Sequence, residues 1–182
     1  MPRLTRKFFD RNTVTVAKEL LGKYLVRRIH STRSGQAAKV IAARITETEA
    51  YCGQKDLACH ASRGLTERTK VMFGPPGYAY VYLVYGIYHC LNVVTEKEGY
   101  PAAILIRGCE LADGPGKLCR ELGINMALNS VDLCSSKELW LEDREEKPPK
   151  IKKGKRIGVD YAGKWKDKLW RFCPIHDDIV ES

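Results

Sequence analysis

Two glutamates and a tyrosine occupy every second position of one short stretch, Glu47-Thr-Glu49-Ala-Tyr51. The preceding positions 41, 43 and 45 are apolar, so a strand with a period of two places these three side chains on its apolar side. A carboxylate there is either paired with a cation or kept for chemistry, because burying it unpaired is costly. Two alternatives stay open: structural ion pairing, and a strand that ends near residue 46 and leaves both acids in solvent.

His60 favours the functional interpretation. It lies in a glycine-rich segment, residues 52–77, that starts where this strand ends. A segment of this length without sustained periodicity is usually functional when it lies inside a compact domain. We therefore expect the histidine to reach the strand end that carries the glutamates.

Tyrosines follow this segment at high density, at positions 78, 80, 82, 85 and 88. The first three alternate on one face of a predicted strand, and the last two flank Gly86-Ile87, which predicts the turn of a hairpin. Core packing accounts for some of these rings. Others can stack on flat bases, and an aromatic residue at an exposed hairpin tip can enter a base stack.

The elements that must position these residues are short and mostly extended. Helix patterns cover residues 14–21, capped by Asn12, and residues 117–122, opened by Gly114-Pro115. Strand patterns cover residues 24–29, 39–51, 78–85, 88–95, 102–107, 139–141, 156–159 and 169–173. A polar turn is predicted at residues 31–35, and the run 147–156, with two prolines and a glycine, predicts a loop. Strands outnumber helices without βαβ repetition, which predicts the α+β class with a largely antiparallel sheet.

The composition is that of one domain spanning residues 1–182. With 44% hydrophobic residues the chain is neither disordered, collagen-like nor a coiled coil. No stretch approaches the ~20 apolar residues of a membrane span, and the N-terminus lacks the apolar core of a signal peptide. The seven cysteines include no Cys-x-x-Cys pair, and Cys52, Cys59 and His60 lack a second close pair, so we expect no metal. We expect a cytoplasmic, nucleoid-associated protein in a bacterium and a nuclear one in a eukaryote.

The positive charge is concentrated at the two ends of the chain. Lys and Arg outnumber Asp and Glu by 31 to 22, which gives a net charge of +9. Residues 1–33 carry nine basic and two acidic side chains, and residues 147–171 carry ten and two. If the two ends converge on one face of the fold, their field attracts a polyanion, and nucleic acid is the leading candidate. A solvated basic surface that serves only solubility is the alternative.

Two other functions fit parts of this pattern. Glu47 and Glu49 could be the carboxylate pair of a sugar-hydrolysing glycosidase, but a sugar substrate has little use for so basic a chain. A non-catalytic nucleic-acid-binding module would stack bases on the tyrosines and predicts binding without base release. What separates an enzyme from that module is a catalytic constellation. The enzyme requires that four residues converge in space: Glu49, Tyr51, His60 and Arg107.

A series of motifs resembles the alkyladenine (3-methyladenine) DNA glycosylase family, in the family's order and across residues 4–172. The series consists of Glu47-Thr-Glu-Ala-Tyr51, His60, Met72-Phe-Gly-Pro-Pro-Gly77, Tyr80-Val-Tyr-Leu-Val-Tyr-Gly86, Cys90-Leu-Asn92-Val-Val, Ile104-Leu-Ile-Arg107, Gly114-Pro-Gly-Lys-Leu118 and Arg156-Ile-Gly-Val159. The resemblance implies a curved sheet with a protruding hairpin. It also implies a monofunctional enzyme of base excision repair that flips alkylated or deaminated purines, of the 3-methyladenine, hypoxanthine or ethenoadenine type, out of duplex DNA.

The family's chemistry is hydrolysis of the N-glycosidic bond by an activated water, which leaves an abasic site. By this resemblance Glu49 is the general base, and Arg107 and the main-chain carbonyl of Ile157 help to hold the water. No lysine lies in the matched pocket motifs, so we expect water rather than an amine as the nucleophile. The resemblance further implies no cofactor, a monomer, and double-stranded DNA containing damaged purines as the partner.

The resemblance also assigns the residues of a base pocket. Tyr51, His60 and Tyr82 match the residues that sandwich the flipped base. Asn92 matches a side chain that is expected to clash with the exocyclic amino group of guanine, and Leu105 is expected to line the same pocket.

Contacts with the rest of the DNA are assigned in the same way. Tyr85, at the hairpin tip, matches the residue that intercalates and fills the gap left by the flipped nucleotide. Phosphate contacts are expected from Arg63, Arg68, Lys70 and Lys117. One departure from the family is Glu67, an acid in the string Leu65-Thr-Glu-Arg-Thr69 where many members have Arg-Thr-Pro-Arg-Asn, and we expect it to weaken these contacts.

Overall fold

The computed structural model describes residues 1–29 and 38–175, so the polar turn predicted at residues 31–35 lies outside the described residues. The α-helices are α1 (Arg6–Phe9), α2 (Thr13–Glu19) and α3 (Pro115–Glu121). The strands are β1 (Tyr24–Ile29), β2 (Lys39–Cys52), β3 (Ala79–Val84), β4 (Tyr88–Val94), β5 (Ala102–Cys109), β6 (Ala112–Asp113), β7 (Leu139–Glu142), β8 (Ile151–Gly154) and β9 (Arg171–Pro174). Short 3₁₀ helices lie at His60–Arg63, Lys70–Phe73, Met126–Leu128 and Asp160–Asp167.

One curled antiparallel sheet is organised around the long strand β2. The strand order is β3-β4-β5-β2-β1-β7, with β6 beside β5 and the pair β8-β9 joined to β2. The first half of β2 pairs with β1, whereas its second half pairs with β5 and β9. The predicted α+β class with a largely antiparallel sheet is confirmed. Within the described residues, no helix combines the length and the apolar character that crossing a bilayer requires.

A β-bulge in β2 changes the direction of its side chains at Glu47. The pairing of β2 with β5 shifts register between Ile45 and Glu47 and again between Glu47 and Thr48. Gly108 of β5 lies opposite, where an added Cβ would come within 3.2 Å of the Cβ of Glu47. Before the bulge Ile45 belongs to the main core; beyond it Ala50 does, and the hydroxyl of Thr48 donates to a main-chain carbonyl of α2.

This bulge overturns the prediction that Glu47, Glu49 and Tyr51 lie on the apolar side of their strand. One extra residue reverses the alternation, so these three side chains face the other side of the sheet from the main core. Tyr51 packs there against a second cluster of buried residues, while its neighbour Ala50 packs in the main core. The glutamates are therefore positioned by a bulge rather than by an uninterrupted strand.

Simple alternation does hold in β3. Tyr80 and Tyr82 pack with the second cluster, and Ala79 and Val81 pack in the main core. The prediction that Tyr78, Tyr80 and Tyr82 share one strand face is confirmed for the last two; Tyr78 precedes β3 but packs against the same cluster. Both the bulged strand β2 and the regular strand β3 thus present polar and aromatic side chains to the same side of the sheet.

The predictions for the C-terminal segment are wrong in part. Residues 156–159 form no strand, and β8 lies instead within the run 147–156 that was expected to be a loop. Two residues account for the difference: Arg156 turns its side chain inward to the carboxylate of Asp56, and Gly158 has a φ of 75° that interrupts an extended chain.

Candidate active site

A pocket of about 730 Å³ opens on the side of the sheet that faces away from the main core. Most of the predicted site residues line it: Tyr51, His60, Arg68, Tyr82, Tyr85, Asn92, Leu105, Arg107, Lys117 and Ile157. Strands β2, β3, β4 and β5 contribute its floor, and the loop after β2, helix α3 and residues 157–161 contribute its rim. The structure thus brings together residues from both halves of the chain.

The carboxylate of Glu49 lies directly behind the pocket wall, with 0% of the residue exposed. Its Oε2 accepts a hydrogen bond from the hydroxyl of Tyr51 at 2.8 Å, and its Oε1 accepts one from the main-chain N–H of Ile157 at 3.0 Å. The Nε of Arg107 lies 3.7 Å from Oε1. All three partners line the pocket. Ile157 contacts Glu49 through its amide, whereas the role that the resemblance implies for Ile157 is one of its carbonyl.

The environment of Glu49 makes it a stronger base than an exposed glutamate. Burial raises its pKa above the ordinary value, while the charge of Arg107 and the hydrogen bonds from Tyr51 and Ile157 act in the opposite direction. A raised pKa increases the proton affinity of the carboxylate, and its three partners still support the charged form. This combination is what a general base beside a pocket requires.

The second glutamate, Glu47, is held by two arginines. The Nε of Arg107 lies 3.4 Å from Oε2 of Glu47, and a guanidinium N–H of Arg171 donates to Oε1 at 2.8 Å. Arg107 therefore lies between two carboxylates. Glu47 does not line the pocket, and its contacts are those of a structural ion pair. Arg107 thus contacts both carboxylates, but Glu49 is the one that also accepts hydrogen bonds from two further residues of the pocket lining, Tyr51 and Ile157.

His60 is held in the pocket wall as a neutral ring. Its Nδ1 lies 3.0 Å from the hydroxyl of Tyr80, and its ring centre lies 4.6 Å from that of Tyr82. Burial, followed by the positive charges of Arg68 and Arg63, lowers the pKa of His60 to about 4. The Tyr80 hydroxyl can donate to Nδ1 or accept from it, and in either tautomer the neutral ring carries one N–H donor.

The low pKa of His60 predicts a loss of stability in acid. An unfolded chain protonates histidine below about pH 6.5, whereas the folded chain does so only near pH 4, so stability is complete above pH 6.5 and falls between these values. Relative to His60→Gln, the wild-type free energy of unfolding should drop by an extra ~2 to 3 kcal/mol between pH 7 and 4.5 in urea titrations. A His60 ring resonance that titrates near pH 6.5 would contradict this assignment.

Four residues form a row across the sheet beside the pocket, and three of them, Tyr80, Asn92 and Leu105, line it. Glu49 pairs with Leu105, Leu105 with Asn92, and Asn92 with Tyr80 across neighbouring strands. The Nδ2 of Asn92 donates to the main-chain carbonyl of Tyr80 at 3.1 Å, so the amide of this buried side chain is held in one orientation. A fixed amide at the pocket floor can discriminate between purines by their exocyclic groups.

The hairpin of β3 and β4 presents Tyr85 to solvent. The main-chain N–H of Ile87 donates to the carbonyl of Val84, and the two residues between them, Tyr85 and Gly86, have φ values of 53° and 70°. The turn is therefore centred on Tyr85-Gly86, not on Gly86-Ile87 as predicted, because positive φ at both central positions matches the twist of a hairpin. Tyr85 is 89% exposed at the pocket rim.

The predicted phosphate-binding residues differ in their surroundings. Arg68 lies 5.1 Å from the ring centre of Tyr82 and lines the pocket. Arg63 lines a neighbouring cavity of about 420 Å³. Lys70 pairs with Glu67 at 2.7 Å, and Lys117 pairs with Asp113 at 2.8 Å. Glu67 thus supplies the carboxylate that pairs with Lys70.

Sequence reasoning missed several residues around the pocket. Tyr161 lines both cavities and is largely exposed, and Tyr80 holds His60. Asp56 and Arg156 form an ion pair in which neither side chain is exposed. The inward direction of Arg156 had no local signal, because its partner lies in a distant loop. In the described part of the chain, no group of three or more His, Cys, Asp or Glu side chains is placed to hold a metal ion.

Comparisons with known proteins show the family of the chain. The model of the family described as methylpurine-DNA glycosylase (MPG) matches residues 7–113 and 109–177. A relative from Methanocella arvoryzae is 50% identical over 100% of this chain and 97% of its own length. Relatives from Legionella pneumophila strain Paris and Rickettsia felis are 51% and 48% identical, over 94% and 97% of this chain and 94% of their own lengths.

All three relatives carry the provisional name 3-methyladenine DNA glycosylase. The family model and these relatives each cover nearly the whole chain. The resemblance inferred from the motifs is confirmed. The chain therefore belongs to the methylpurine-DNA glycosylase family and is a DNA glycosylase of DNA repair.

Proposed function

We propose that this enzyme flips alkylated or deaminated purines, of the 3-methyladenine, hypoxanthine and ethenoadenine type, out of duplex DNA into the pocket. A water then attacks C1′ of the deoxyribose, the N-glycosidic bond breaks, the base leaves and an abasic site remains. The observation that carries the proposal is the buried carboxylate of Glu49, whose three partners all line a pocket with the dimensions of a small-molecule site.

Glu49 is the general base in this proposal. It takes a proton from the attacking water, and its negative charge stabilises the oxocarbenium character of the sugar in the transition state. Arg107, 3.7 Å from Glu49, helps to hold the carboxylate and the water. The Ile157 segment closes the same corner of the pocket through the hydrogen bond of its amide to Glu49.

The aromatic residues account for binding of the flipped base. Tyr51, His60 and Tyr82 offer flat faces to a purine, and stacking on each ring contributes about 1 to 3 kcal/mol. The neutral His60 offers one N–H donor to the purine edge. Asn92, buried at the floor, supports a preference for adenine-derived lesions over guanine.

Tyr85 is the intercalating residue in this proposal, and its left-handed backbone conformation costs stability. Tyr85→Gly should raise the free energy of unfolding by about 0.5 to 1 kcal/mol, because glycine adopts positive φ without strain. The same variant should bind damaged duplex about tenfold more weakly, since the gap left by the flipped base is then unfilled. Tyr85→Phe keeps the ring and is the control; equal affinity of Tyr85→Gly and wild type would exclude intercalation by Tyr85.

The test of the proposed function is single-turnover base release from duplex oligonucleotides that each carry one lesion. The panel contains methylated adenine, hypoxanthine, ethenoadenine and an undamaged control. We expect release only from damaged duplex, with the abasic strand left intact because water is the nucleophile. Tight binding without release would support the alternative, a non-catalytic nucleic-acid-binding module.

Double-stranded DNA with damaged purines is the proposed partner, bound by a monomer in the bacterial cytoplasm at the nucleoid. Arg68 and Lys117 line the pocket, and we expect both to contact phosphates next to the flipped nucleotide. Convergence of the two basic chain ends on this face stays a prediction. If the two ends converge there, the affinity for undamaged duplex should fall steeply as the salt concentration rises.

A further inference from the structure

A buried ion pair of Arg156 with Asp56 lies next to the pocket without touching it. Nη1 of Arg156 is 2.6 Å from Oδ2 of Asp56, and Nη2 is 2.9 Å from Oδ1, so the contact is bidentate. Neither side chain is exposed and neither lines the pocket. Any part that this pair has in the reaction must therefore be exerted through other residues.

The remaining hydrogen bonds of the pair join separate segments of the chain. Nη1 of Arg156 donates to the carbonyl of Ala50 in β2 at 2.8 Å, and Nη2 donates to that of Trp165 in the 3₁₀ helix at 3.1 Å. Asp56 accepts hydrogen bonds at 3.1 Å from two main-chain amides, those of Cys52 and Ala58. One guanidinium and one carboxylate thus connect the end of β2, the loop that leads to His60, and the C-terminal segment.

These segments carry two hydrogen-bond partners of Glu49. Ile157, the next residue after Arg156, donates its amide to Oε1 of Glu49 at 3.0 Å. The guanidinium carbon of Arg156 lies 4.8 Å from the ring centre of Tyr51, whose hydroxyl donates to Oε2 at 2.8 Å. We propose that Arg156 and Asp56 are positioning residues that hold the Ile157 amide and the Tyr51 ring against Glu49. This role rests on the proposed function.

Stability by itself does not explain why this pair is buried. Taking two charges out of water costs about as much as their attraction returns, and apolar residues of similar volume often serve a core equally well. The exposed pair of Lys155 and Asp167, at 2.6 Å, lies within the C-terminal segment and carries no such desolvation cost. The buried pair fixes the orientation of the chain at Arg156, because its planar guanidinium makes four hydrogen bonds in one geometry. Ile157 is the next residue of the chain, so its amide is held in place as well.

The test is a double variant, Asp56→Leu with Arg156→Met, which removes the pair without leaving a lone buried charge. We expect its single-turnover release rate, on the best substrate of the panel, to fall about 100-fold, because small misplacements of catalytic groups have effects of this size. Affinity for the same damaged duplex should change by no more than about threefold. Asp167→Asn breaks the exposed ion pair of Lys155, the neighbour of Arg156, and is the control for loss of a nearby salt bridge; it should keep the wild-type rate.

The pH dependence of the rate separates positioning from a purely structural role. The charged and titratable groups around Glu49 are Glu47 and Tyr51 on β2, Cys90 on β4, Arg107 on β5 and Arg171 on β9. The Ile157 amide and the Tyr51 hydroxyl favour the charged form of Glu49. If the double variant loosens these two hydrogen bonds, the pKa of Glu49 rises, and the acid limb of the pH–rate profile moves to higher pH. A role of the ion pair in folding alone leaves the limb in place.

A wild-type rate and an unshifted acid limb in the folded double variant would overturn the positioning role. If the double variant does not fold, Arg156→Lys decides: it keeps the charge but not the planar fork, and a wild-type rate with it would equally overturn the inference. Glu49→Gln separates this inference from the proposed function. Full base release by Glu49→Gln overturns the proposed function, whereas loss of release there and a wild-type rate in the double variant overturn only the positioning role.

Discussion

Glu49→Gln should reduce the single-turnover rate of base release by about 10³-fold, because it removes the group that accepts the proton of the attacking water. The glutamine keeps the shape of the side chain: its amide oxygen can accept the hydrogen bond from the Ile157 amide, and its NH2 group can donate to the Tyr51 oxygen. Affinity for damaged duplex should therefore be retained. The measurement is quenched single-turnover release of free base, with a parallel binding titration on the same oligonucleotide.

Glu47→Gln is the matched control for this experiment. It makes the same chemical change two residues away, at a carboxylate that pairs with Arg107 and Arg171 and does not contact the pocket. We expect it to lower the rate by no more than about tenfold, through a less constrained Arg107. Equal rates for Glu49→Gln and wild type, or a larger loss for Glu47→Gln than for Glu49→Gln, would exclude Glu49 as the general base.

Arg156→Met should lower the free energy of unfolding by about 3 to 5 kcal/mol, because it leaves the carboxylate of Asp56 buried without its cation. Adding Asp56→Leu removes the lone charge, and the double variant should regain most of this loss. The double variant should thus be much more stable than the sum of the two single effects on the free energy of unfolding predicts. Urea denaturation of the wild type, both single variants and the double variant measures this difference as a double-mutant cycle.

The control for this cycle is the exposed pair of Arg11 and Glu19, whose closest atoms are 2.6 Å apart. Exposed pairs contribute about 1 kcal/mol or less, so Arg11→Met should have a small effect. An Arg156→Met variant as stable as Arg11→Met would show that solvent or another cation reaches Asp56. The stability cycle and the rate measurements are independent, because the double variant is expected to be stable and slow.

Local patterns in the chain were sufficient for much of the fold. Strand propensity and turn residues predicted β1, β2 and the β3-β4 hairpin, and the alternation of Tyr80 and Tyr82 placed both rings on one face. These features depend on residues within a few positions of one another, which is the range over which sequence periodicity carries information. The ordered motifs likewise predicted the family, which the comparisons confirmed.

Only the tertiary structure decided which way the glutamates face. The bulge at Glu47 needs a partner strand with room for the extra residue, and Gly108 provides that room from a distant part of the chain. The neutral state of His60 has the same kind of origin, because burial and the charges of Arg68 and Arg63 act on it only after folding. The sequence of one strand contains no information about the strand that will pair with it or about how deeply its side chains will be buried. It therefore cannot specify the direction of the glutamates or the protonation state of His60.

The pair of Arg156 and Asp56 shows this division most clearly. By itself, a lysine- and arginine-rich C-terminal run predicts a solvated, phosphate-binding loop, and most of its side chains remain exposed. Arg156 is the exception, because a carboxylate and two main-chain carbonyls from three other segments surround it. The sequence alone determined the residue types that the site contains and the strands that carry them. The long-range contacts that bury Arg156 and turn Glu49 toward the pocket decided how those residues are arranged.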